Sequence, residues 1–259
     1  MKSTTKTKNN ISRTSHHHVR IIIGLIIIFI LALTSGVLIA KFYQPLGFGA
    51  IQGSNSANQT LQGIANFRTV SVPGKMKANI LFRSTRLSNA TPSDAQYLAK
   101  VLKNGIVIDL RTAIERRLSP DRPIPSVANK SFPITGAASA DSYVAAFVND
   151  ANDRANLAKA FTAVANANGP VLIHCTYGKD RTGWLVALIM YSLGANDQQI
   201  MTEYLRSNAE LKHASVSASW LQAALTAARQ KYGSIDNYIR EGLGVSDDAL
   251  AKLKAKFAV

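Results

Sequence analysis

Residues 171–183 read VLIHCTYGKDRTG and carry the strongest indication of how this chain folds. Val171–Ile173 is a short apolar run that follows Gly169-Pro170, which predicts a buried strand. A tight polar loop comes next, and a helix is predicted to begin near Thr182. Backbone N–H groups in such a loop point inward, and the helix directs the positive end of its dipole to the same place. The pattern therefore predicts a site for a phosphate-sized dianion.

Cys175 and Arg181 are the two residues of this loop that carry chemistry. Cys175 is the single cysteine of the chain, so the sequence holds no internal disulfide and no multi-thiolate metal site. A thiol beside a helix N-terminus and a cationic group has its pKa lowered from about 8.5 to about 3.5–7.5, and the thiolate is the nucleophile. Arg181 can fold back and offer two donors to phosphate oxygens. We therefore predict a phosphocysteine intermediate that water hydrolyses, without a metal ion or other cofactor.

The other side chains of the loop are predicted to surround the substrate. They are Thr176, Tyr177, Gly178, Lys179, Thr182 and Gly183. Lys179 could bind a second phosphate of an inositol lipid, or it could be an exposed loop lysine without that role. His174 is interpreted as a support for the loop rather than a base, because neighbouring side chains of a strand point to opposite faces.

The run HCTYGKDRTG, residues 174–183, resembles the signature loop of the cysteine-dependent protein tyrosine phosphatase superfamily. Its Lys-Asp pair is similar to that of the bacterial tyrosine-phosphatase-like family, whose members include secreted enzymes that act on phosphotyrosine and phosphoinositides. The resemblance implies a cysteine-phosphatase fold over nearly all of residues 61–259. Weaker matches follow in the expected order: Asn66-Phe67-Arg68, Leu81–Ser84, Ile108–Thr112, Tyr204–Asn208 and Tyr232–Ser234.

The general acid is left open by the same resemblance. Members of the family often carry an aspartate just after a Phe-Pro pair in a loop that covers the site, whereas this chain has Ile134 after Phe132-Pro133. Asp180 inside the loop is the first candidate and Asp141 is the second. Asp180 could instead only orient its neighbours Lys179 and Arg181.

The rest of residues 61–259 predicts an α/β fold, a parallel sheet flanked by helices. Ile106–Leu110 is a second apolar run of strand length. Thr91-Pro92-Ser93-Asp94 is typical of a helix start, with a capping threonine and proline at the first position, and Gly105 is expected to end that helix. Later helices are predicted over residues 182–193, 198–206, 219–230, 235–241 and 247–257. Asp109, Arg68 and Arg111 are interpreted mainly as buried supports at strand ends.

The N-terminal sixty residues differ in composition from the rest. Residues 21–40 are twenty residues without a charge, long enough to cross about 30 Å of hydrocarbon as a helix. The run is longer than the apolar core of a cleavable signal peptide, so we predict an uncleaved transmembrane signal anchor. Residues 1–20 are basic and predict a cytoplasmic tail, residues 41–60 a flexible linker, and residues 61–259 a phosphatase domain outside the cell membrane.

Net charge leaves several partner classes open, because a formal charge of +15 suits nucleic acid, anionic lipid or a phosphorylated substrate. The loop favours a phosphorylated protein or lipid, and no nucleic-acid partner is expected. The predicted function is cysteine-dependent hydrolysis of phosphomonoesters, including phosphotyrosine and possibly phosphoinositides. The alternative is a catalytically silent surface module that binds phosphorylated or anionic ligands, and intact Cys175 and Arg181 count against it.

Overall fold

The computed structural model describes residues 61–211 and 215–259. The predicted tail, transmembrane anchor and linker, residues 1–20, 21–40 and 41–60, lie outside the described residues. Within the described ranges, no helix is both long and apolar enough to cross a membrane.

Five strands form one sheet at the centre of the described fold. They are β1 (Arg68–Thr69), β2 (Leu81–Ser84), β3 (Ile106–Asp109), β4 (Ala128–Ser131) and β5 (Val171–His174), and their order across the sheet is β1-β2-β5-β3-β4. The pairs β2·β5, β5·β3 and β3·β4 are parallel. The prediction of a wholly parallel sheet is wrong at one edge, where β1 runs antiparallel to β2. Residues 70–80, which contain no helix, join these two strands and return the chain directly, without the crossover that a parallel pair requires.

Helices lie on both faces of the sheet. They are α1 (Pro92–Val101), α2 (Ala113–Leu118), α3 (Ala140–Tyr143), α4 (Ala151–Ala165), α5 (Asp180–Ser192), α6 (Asp197–Leu205), α7 (Ser207–Glu210), α8 (Ala218–Tyr232), α9 (Ile235–Asn237) and α10 (Asp247–Phe257). Two π-helical stretches, Val144–Asn149 and Tyr238–Gly242, continue α3 and α9.

The helix starts follow the capping signals in the sequence. The hydroxyl of Thr91 accepts from the N–H of Asp94, whose carboxylate accepts in return from the N–H of Thr91. The helix so begun ends at Val101, earlier than the expected boundary at Gly105, because residues 102–104 form a turn before the glycine. The predicted helix over residues 247–257 has the bounds observed for α10.

The core is divided by the sheet, as the two-residue period of a strand requires. Leu81, Ile108 and Ile173 are buried on one face, with α4 and α5 packed over them. Phe82 and Leu172 are buried on the other face, which α1 covers.

The register of the strands aligns the carboxyl ends of β2, β5 and β3 with one another. His174 at the end of β5 lies between Ser84 of β2 and Asp109 of β3. The loop that starts at Cys175 therefore leaves the sheet from its middle, where neighbouring loops can surround it.

Candidate active site

The loop between β5 and α5, residues 175–179, depends on two glycines. Gly178 has a φ of +65°, and a Cβ there would lie 1.9 Å from the carbonyl oxygen of Ser84. A Cβ on Gly183, in the first turn of α5, would lie 2.8 Å from the ring of Tyr204. Both positions therefore exclude a side chain, which lets the loop turn tightly and lets α5 pack closely against α6.

The carbonyl groups of the loop are bound from outside. The side-chain amide of Asn66 donates to the carbonyl oxygens of Tyr177 and Gly178, each at 3.1 Å. Arg83, which is fully buried, donates to the same Gly178 oxygen at 2.7 Å. In a trans peptide the N–H points away from the C=O, so the N–H groups that follow these carbonyls point to the opposite side. The N–H groups of residues 176–179 have no hydrogen-bond partner among the described residues, which is the arrangement of an anion-binding nest.

A buried charge network holds Arg83 in this position. Glu203 of α6 accepts from Arg83 at 3.4 Å and from Arg68 at 2.8 Å. Arg68 also donates to the side-chain oxygen of Asn66. Burial and the nearby charge of Arg83 lower the pKa of Arg68 to about 9, which Glu203 opposes. The structure therefore places Arg68 as the buried support that the sequence predicted.

Cys175 lies at the base of the nest with its side chain buried. Burial alone would raise the pKa of the thiol. The charge of Arg181 and the nearby polar groups of Thr182 outweigh that effect and hold the pKa below its ordinary value. At a given pH, a larger fraction of Cys175 is therefore thiolate than of a free cysteine.

Arg181 is oriented by a carboxylate that the sequence analysis did not identify. Its Nη1 and Nη2 donate to Oε2 and Oε1 of Glu115, each at 2.7 Å. Nη1 also donates to the carbonyl oxygen of Ile134 at 3.2 Å. The Nε atom makes no hydrogen bond with any described residue, so the Nε edge of the guanidinium is left for an anion.

Glu115 is ionised because of these contacts. Partial burial acts to raise the pKa of its carboxyl group, but hydrogen bonds from Arg181 and Thr176 hold the pKa well below its usual range. The hydroxyl of Thr176 donates to Oε1 of Glu115. Thr176 thus helps to hold Glu115 in place beside Arg181, and it also lines the cleft.

An open cleft lies next to the loop and brings most of the predicted site residues together. Its lining consists of Glu115, Gly136, Ala137, Ala138, Thr176, Tyr177, Lys179, Asp180 and Arg181. Tyr177 is half exposed at 50%, whereas Thr182 is fully buried behind the loop.

Lys179 and Asp180 form a buried pair at one wall of the cleft. The ammonium of Lys179 lies 2.7 Å from Oδ2 of Asp180 and 5.4 Å from the ring centre of Trp220. The interpretation of Lys179 as an exposed loop lysine is therefore wrong, since it is only 6% exposed. Oδ1 of Asp180 accepts from the hydroxyl of Tyr143 at 2.6 Å, and that hydroxyl lies 2.7 Å from the hydroxyl of Tyr204.

Asp141, the second candidate for the general acid, is exposed and does not line the cleft. It belongs to α3, which follows the segment that covers the cleft, residues 134–139. That segment is fixed at Thr135, whose N–H donates to the buried carboxylate of Asp153 at 3.0 Å.

His174 lies under the loop, as predicted for a support. Its Nδ1 is 3.2 Å from the carbonyl oxygen of Cys175, and its Nε2 is 3.3 Å from Asp121. Burial lowers the pKa of His174, but the close carboxylate of Asp121 and the charge of Asp109 outweigh it and raise the pKa above its ordinary value.

Asp109, Asp121 and His174 could by spacing hold a metal ion. Arg111 already pairs with both carboxylates, with Nη2 at 2.8 Å from Asp109 and 2.7 Å from Asp121. The cluster is therefore a buried support made of protein charges. Asp109 and Arg111 take the structural role that the sequence predicted for them.

A family model and individual relatives indicate the same family for this chain. A family model described as the tyrosine phosphatase family matches residues 59–259. The chain is 33% identical to a candidate tyrosine-protein phosphatase of Cupriavidus necator, over 33% of this chain and 39% of that protein. It is 28% identical to the triple specificity protein phosphatase PtpB of Mycobacterium tuberculosis, over 34% of this chain and 44% of that protein. The chain thus spans less than half the length of each of these two relatives.

A longer alignment and two solved structures extend the comparison. A tyrosine-protein phosphatase of Nostoc commune is 26% identical over 69% of this chain and 74% of that protein. The core catalytic domain of the PP-IP phosphatase SIW14 from S. cerevisiae aligns with a TM-score of 0.41 at 20% identity, over 72% of this chain and 94% of that domain. TpbA of P. aeruginosa aligns with a TM-score of 0.34 at 20% identity, over 61% of this chain and 96% of that protein.

Proposed function

The chain belongs to the tyrosine phosphatase family, and from that premise we propose that it hydrolyses phosphotyrosine and phosphoinositide monoesters through a phosphocysteine on Cys175. Membership of the family makes it a phosphoric monoester hydrolase. One observation carries the mechanism: the buried thiol of Cys175, with its lowered pKa, lies beside Arg181 in a loop whose N–H groups have no partner among the described residues.

The phosphate group is bound by the loop before any bond changes. The N–H groups of residues 176–179 and the Nε edge of Arg181 surround three of its oxygens. Glu115 keeps the guanidinium plane fixed, so little ordering remains to be done when the substrate arrives. Oxygens that carry more charge in the transition state gain most from these donors.

In the first chemical step the thiolate of Cys175 attacks phosphorus in line with the ester oxygen. The S–P bond forms as the P–O bond to the alcohol or phenol breaks, and the bonding pair leaves on that oxygen. Asp180 gives its proton to the departing oxygen. The product alcohol is released, and phosphocysteine remains.

Asp180 is favoured over Asp141 as the proton donor because it lines the cleft. Its Oδ2 lies 2.7 Å from the ammonium of Lys179. In the proposed cycle Asp180 holds a proton when the substrate is bound, gives it to the leaving oxygen and recovers it in the second step.

The second step returns the enzyme to its starting state. Asp180, now ionised, accepts a proton from water as the water oxygen attacks the phosphorus of phosphocysteine. The S–P bond breaks, its electron pair returns to Cys175 as the thiolate, and inorganic phosphate leaves. Arg181 and the loop N–H groups stabilise the transferring group in both steps.

Lys179 supports the phosphoinositide part of the proposal. It lines the cleft together with Arg181, and a second phosphate of an inositol ring would accept from its ammonium in place of Asp180. Activity on more than one substrate class is named for the triple specificity relative.

A panel of substrates tests this function directly. Phosphotyrosine peptide, phosphoserine peptide and a phosphoinositide would be compared at equal concentration, with excess chelator present. We expect the phosphotyrosine peptide and the phosphoinositide to be hydrolysed and the phosphoserine peptide to be a poorer substrate.

Two variants separate catalysis from binding. Cys175→Ser should abolish turnover and keep vanadate binding, whereas Arg181→Lys should lose both. Vanadate binding by the wild-type chain without turnover of any substrate would instead favour a silent binding module.

We also propose that residues 21–40 anchor this enzyme in the cell membrane, with residues 1–20 in the cytoplasm and residues 41–259 outside. The support is the charge-free apolar span behind a basic tail. The intact protein should sediment with membranes, and protease added to whole cells should remove residues 41–259. Soluble full-length protein would refute the anchor.

A further inference from the structure

Large apolar side chains are exposed at four positions of the described chain. They are Ile114 at 61%, Leu118 at 76%, Tyr177 at 50% and Val259 at 79%. Tyr177 lines the cleft, and Ile114 is next to Glu115, which lines it too. Ile114 and Leu118 thus belong to a helix that contributes one residue to the cleft, whereas Val259 is the last residue of the sequence.

Helix α2 carries two of these side chains and is itself hardly packed. No residue of the helix is buried. It is held at its start by the capping pair of Thr112 and Glu115 and on its inner side by the contact of Glu115 with Arg181. Ile114 and Leu118 are four residues apart, so they lie on one side of the helix, one above the other.

The charge around α2 is positive on the outer side. Neither Arg116 nor Arg117 forms an ion pair with any acidic group of the described residues. The two nearest acidic residues are occupied on the inner side, Glu115 with Arg181 and Asp121 with Arg111. Residues 61–259 carry nine more basic than acidic residues, so no general negative charge offsets this surface.

We propose that α2 docks on an anionic lipid surface, with Ile114 and Leu118 among the acyl chains and Arg117, three residues from Ile114, on the headgroups. Apolar side chains beside an arginine on a surface helix are the composition of an interfacial membrane contact. An acidic peptide would pair with the arginine but would leave two adjacent aliphatic side chains in water. The docked helix places the cleft next to the lipid headgroups.

This surface goes beyond the proposed phosphatase reaction, and its test uses inactive protein. In full-length Cys175→Ser, which has no native thiol, Leu118→Cys would carry an environment-sensitive dye. The chain would be reconstituted into vesicles of phosphatidylcholine with or without phosphatidylglycerol. The matched control is a dye at Val259→Cys, the fourth exposed apolar position.

The expected result is a blue shift and quenching by spin-labelled lipid at position 118 in phosphatidylglycerol vesicles, and no change at position 259. Adding Arg117→Gln should lower docking by roughly 5-fold, since an arginine near an anionic surface contributes about 1 kcal/mol, and Arg116→Gln on the opposite side of the helix should lower it less. Lys252→Gln and Lys254→Gln on α10 should leave docking unchanged. Equal emission at position 118 in both vesicle types overturns the proposal. A change of dye emission at position 118 that a phosphotyrosine peptide causes and vesicles do not cause also overturns the proposal, and it indicates a peptide-binding surface.

Discussion

Glu115 of α2 and Arg181 of α5 are joined by two hydrogen bonds of 2.7 Å that use both terminal nitrogens of the guanidinium. Sixty-six positions separate the two residues in the chain. The pair leaves Nε of Arg181 without a hydrogen-bond partner among the described residues, and Arg181 lines the cleft. The orientation of the arginine to which we assign phosphate binding therefore depends on a surface helix with no buried residue of its own.

Glu115→Gln should weaken catalysis through this orientation. A neutral amide can accept one hydrogen bond from Arg181 with its oxygen, but its NH2 group cannot accept the second. We expect kcat/KM for p-nitrophenyl phosphate to fall roughly 100-fold, as expected when a catalytic group is misplaced, and vanadate binding to weaken with it. Glu210→Gln, an exposed change on α7, should have no effect. A change of less than about twofold for Glu115→Gln would show that Arg181 is held without it.

Arg83→Met should destabilise the fold and loosen the loop. It removes a fully buried donor to the Gly178 carbonyl and leaves Glu203 with one buried partner fewer. Breaking such a pair costs about 3 kcal/mol or more. Arg206→Met is the matched control, because Arg206 contacts the same carboxylate at 3.3 Å from a half-exposed position and should cost under about 1 kcal/mol. Urea unfolding measures both, and equal losses would contradict the assigned role of Arg83.

The loss of turnover caused by Asp180→Asn should depend on the leaving group of the substrate. General acid catalysis contributes about 10²–10⁴-fold when the leaving oxygen needs a proton. Turnover of phenyl phosphate should therefore fall by that factor, and p-nitrophenyl phosphate should lose far less because its leaving group departs as a stable anion. Asp141→Asn is the comparison, and we expect it to change neither substrate. The reverse outcome would assign the proton to the covering segment and leave Asp180 as an orienting residue.

Stability should depend on pH through His174. Its folded pKa is raised, so its contribution is fully present below the unfolded value of about 6.5 and is lost as pH rises through the folded pKa. The difference in unfolding free energy between the wild type and His174→Gln should be largest near pH 6 and shrink toward alkaline pH. Asp121→Asn should reduce the same pH dependence. A difference that grows with pH would mean that His174 is buried neutral.

The strand, loop and helix start of residues 171–183 were predictable because the sequence signals for them are local. The apolar run before Cys175, the tight turn and the helix start all lie within residues 171–183. Most helix bounds agree within a few residues for the same reason, since caps and periodicity act over one or two turns. Lys179, Asp180 and Arg181 line one cleft, and the charge of Arg181 acts on the buried thiol of Cys175.

The partners of the loop were not predictable because they come from distant parts of the chain. Glu203, Tyr143 and Asp121 look like ordinary helix or loop residues in the sequence. Glu115 carried one usable signal, the Thr112-x-x-Glu115 capping box, but that pattern predicts a helix start and says nothing about Arg181. Strand β4 was missed because its four residues are all exposed, so no alternation of apolar and polar residues marks it.

Acid-quenched mass spectrometry of the enzyme during turnover of p-nitrophenyl phosphate can detect the covalent intermediate itself, since the chain has only one cysteine. We expect phosphate on the peptide that contains Cys175, formed in a burst and accumulating further in Asp180→Asn if hydrolysis of the intermediate becomes slower than its formation. Cys175→Ser should show neither the intermediate nor turnover. Phosphate found on another residue, or substantial turnover by Cys175→Ser, would contradict the phosphocysteine mechanism.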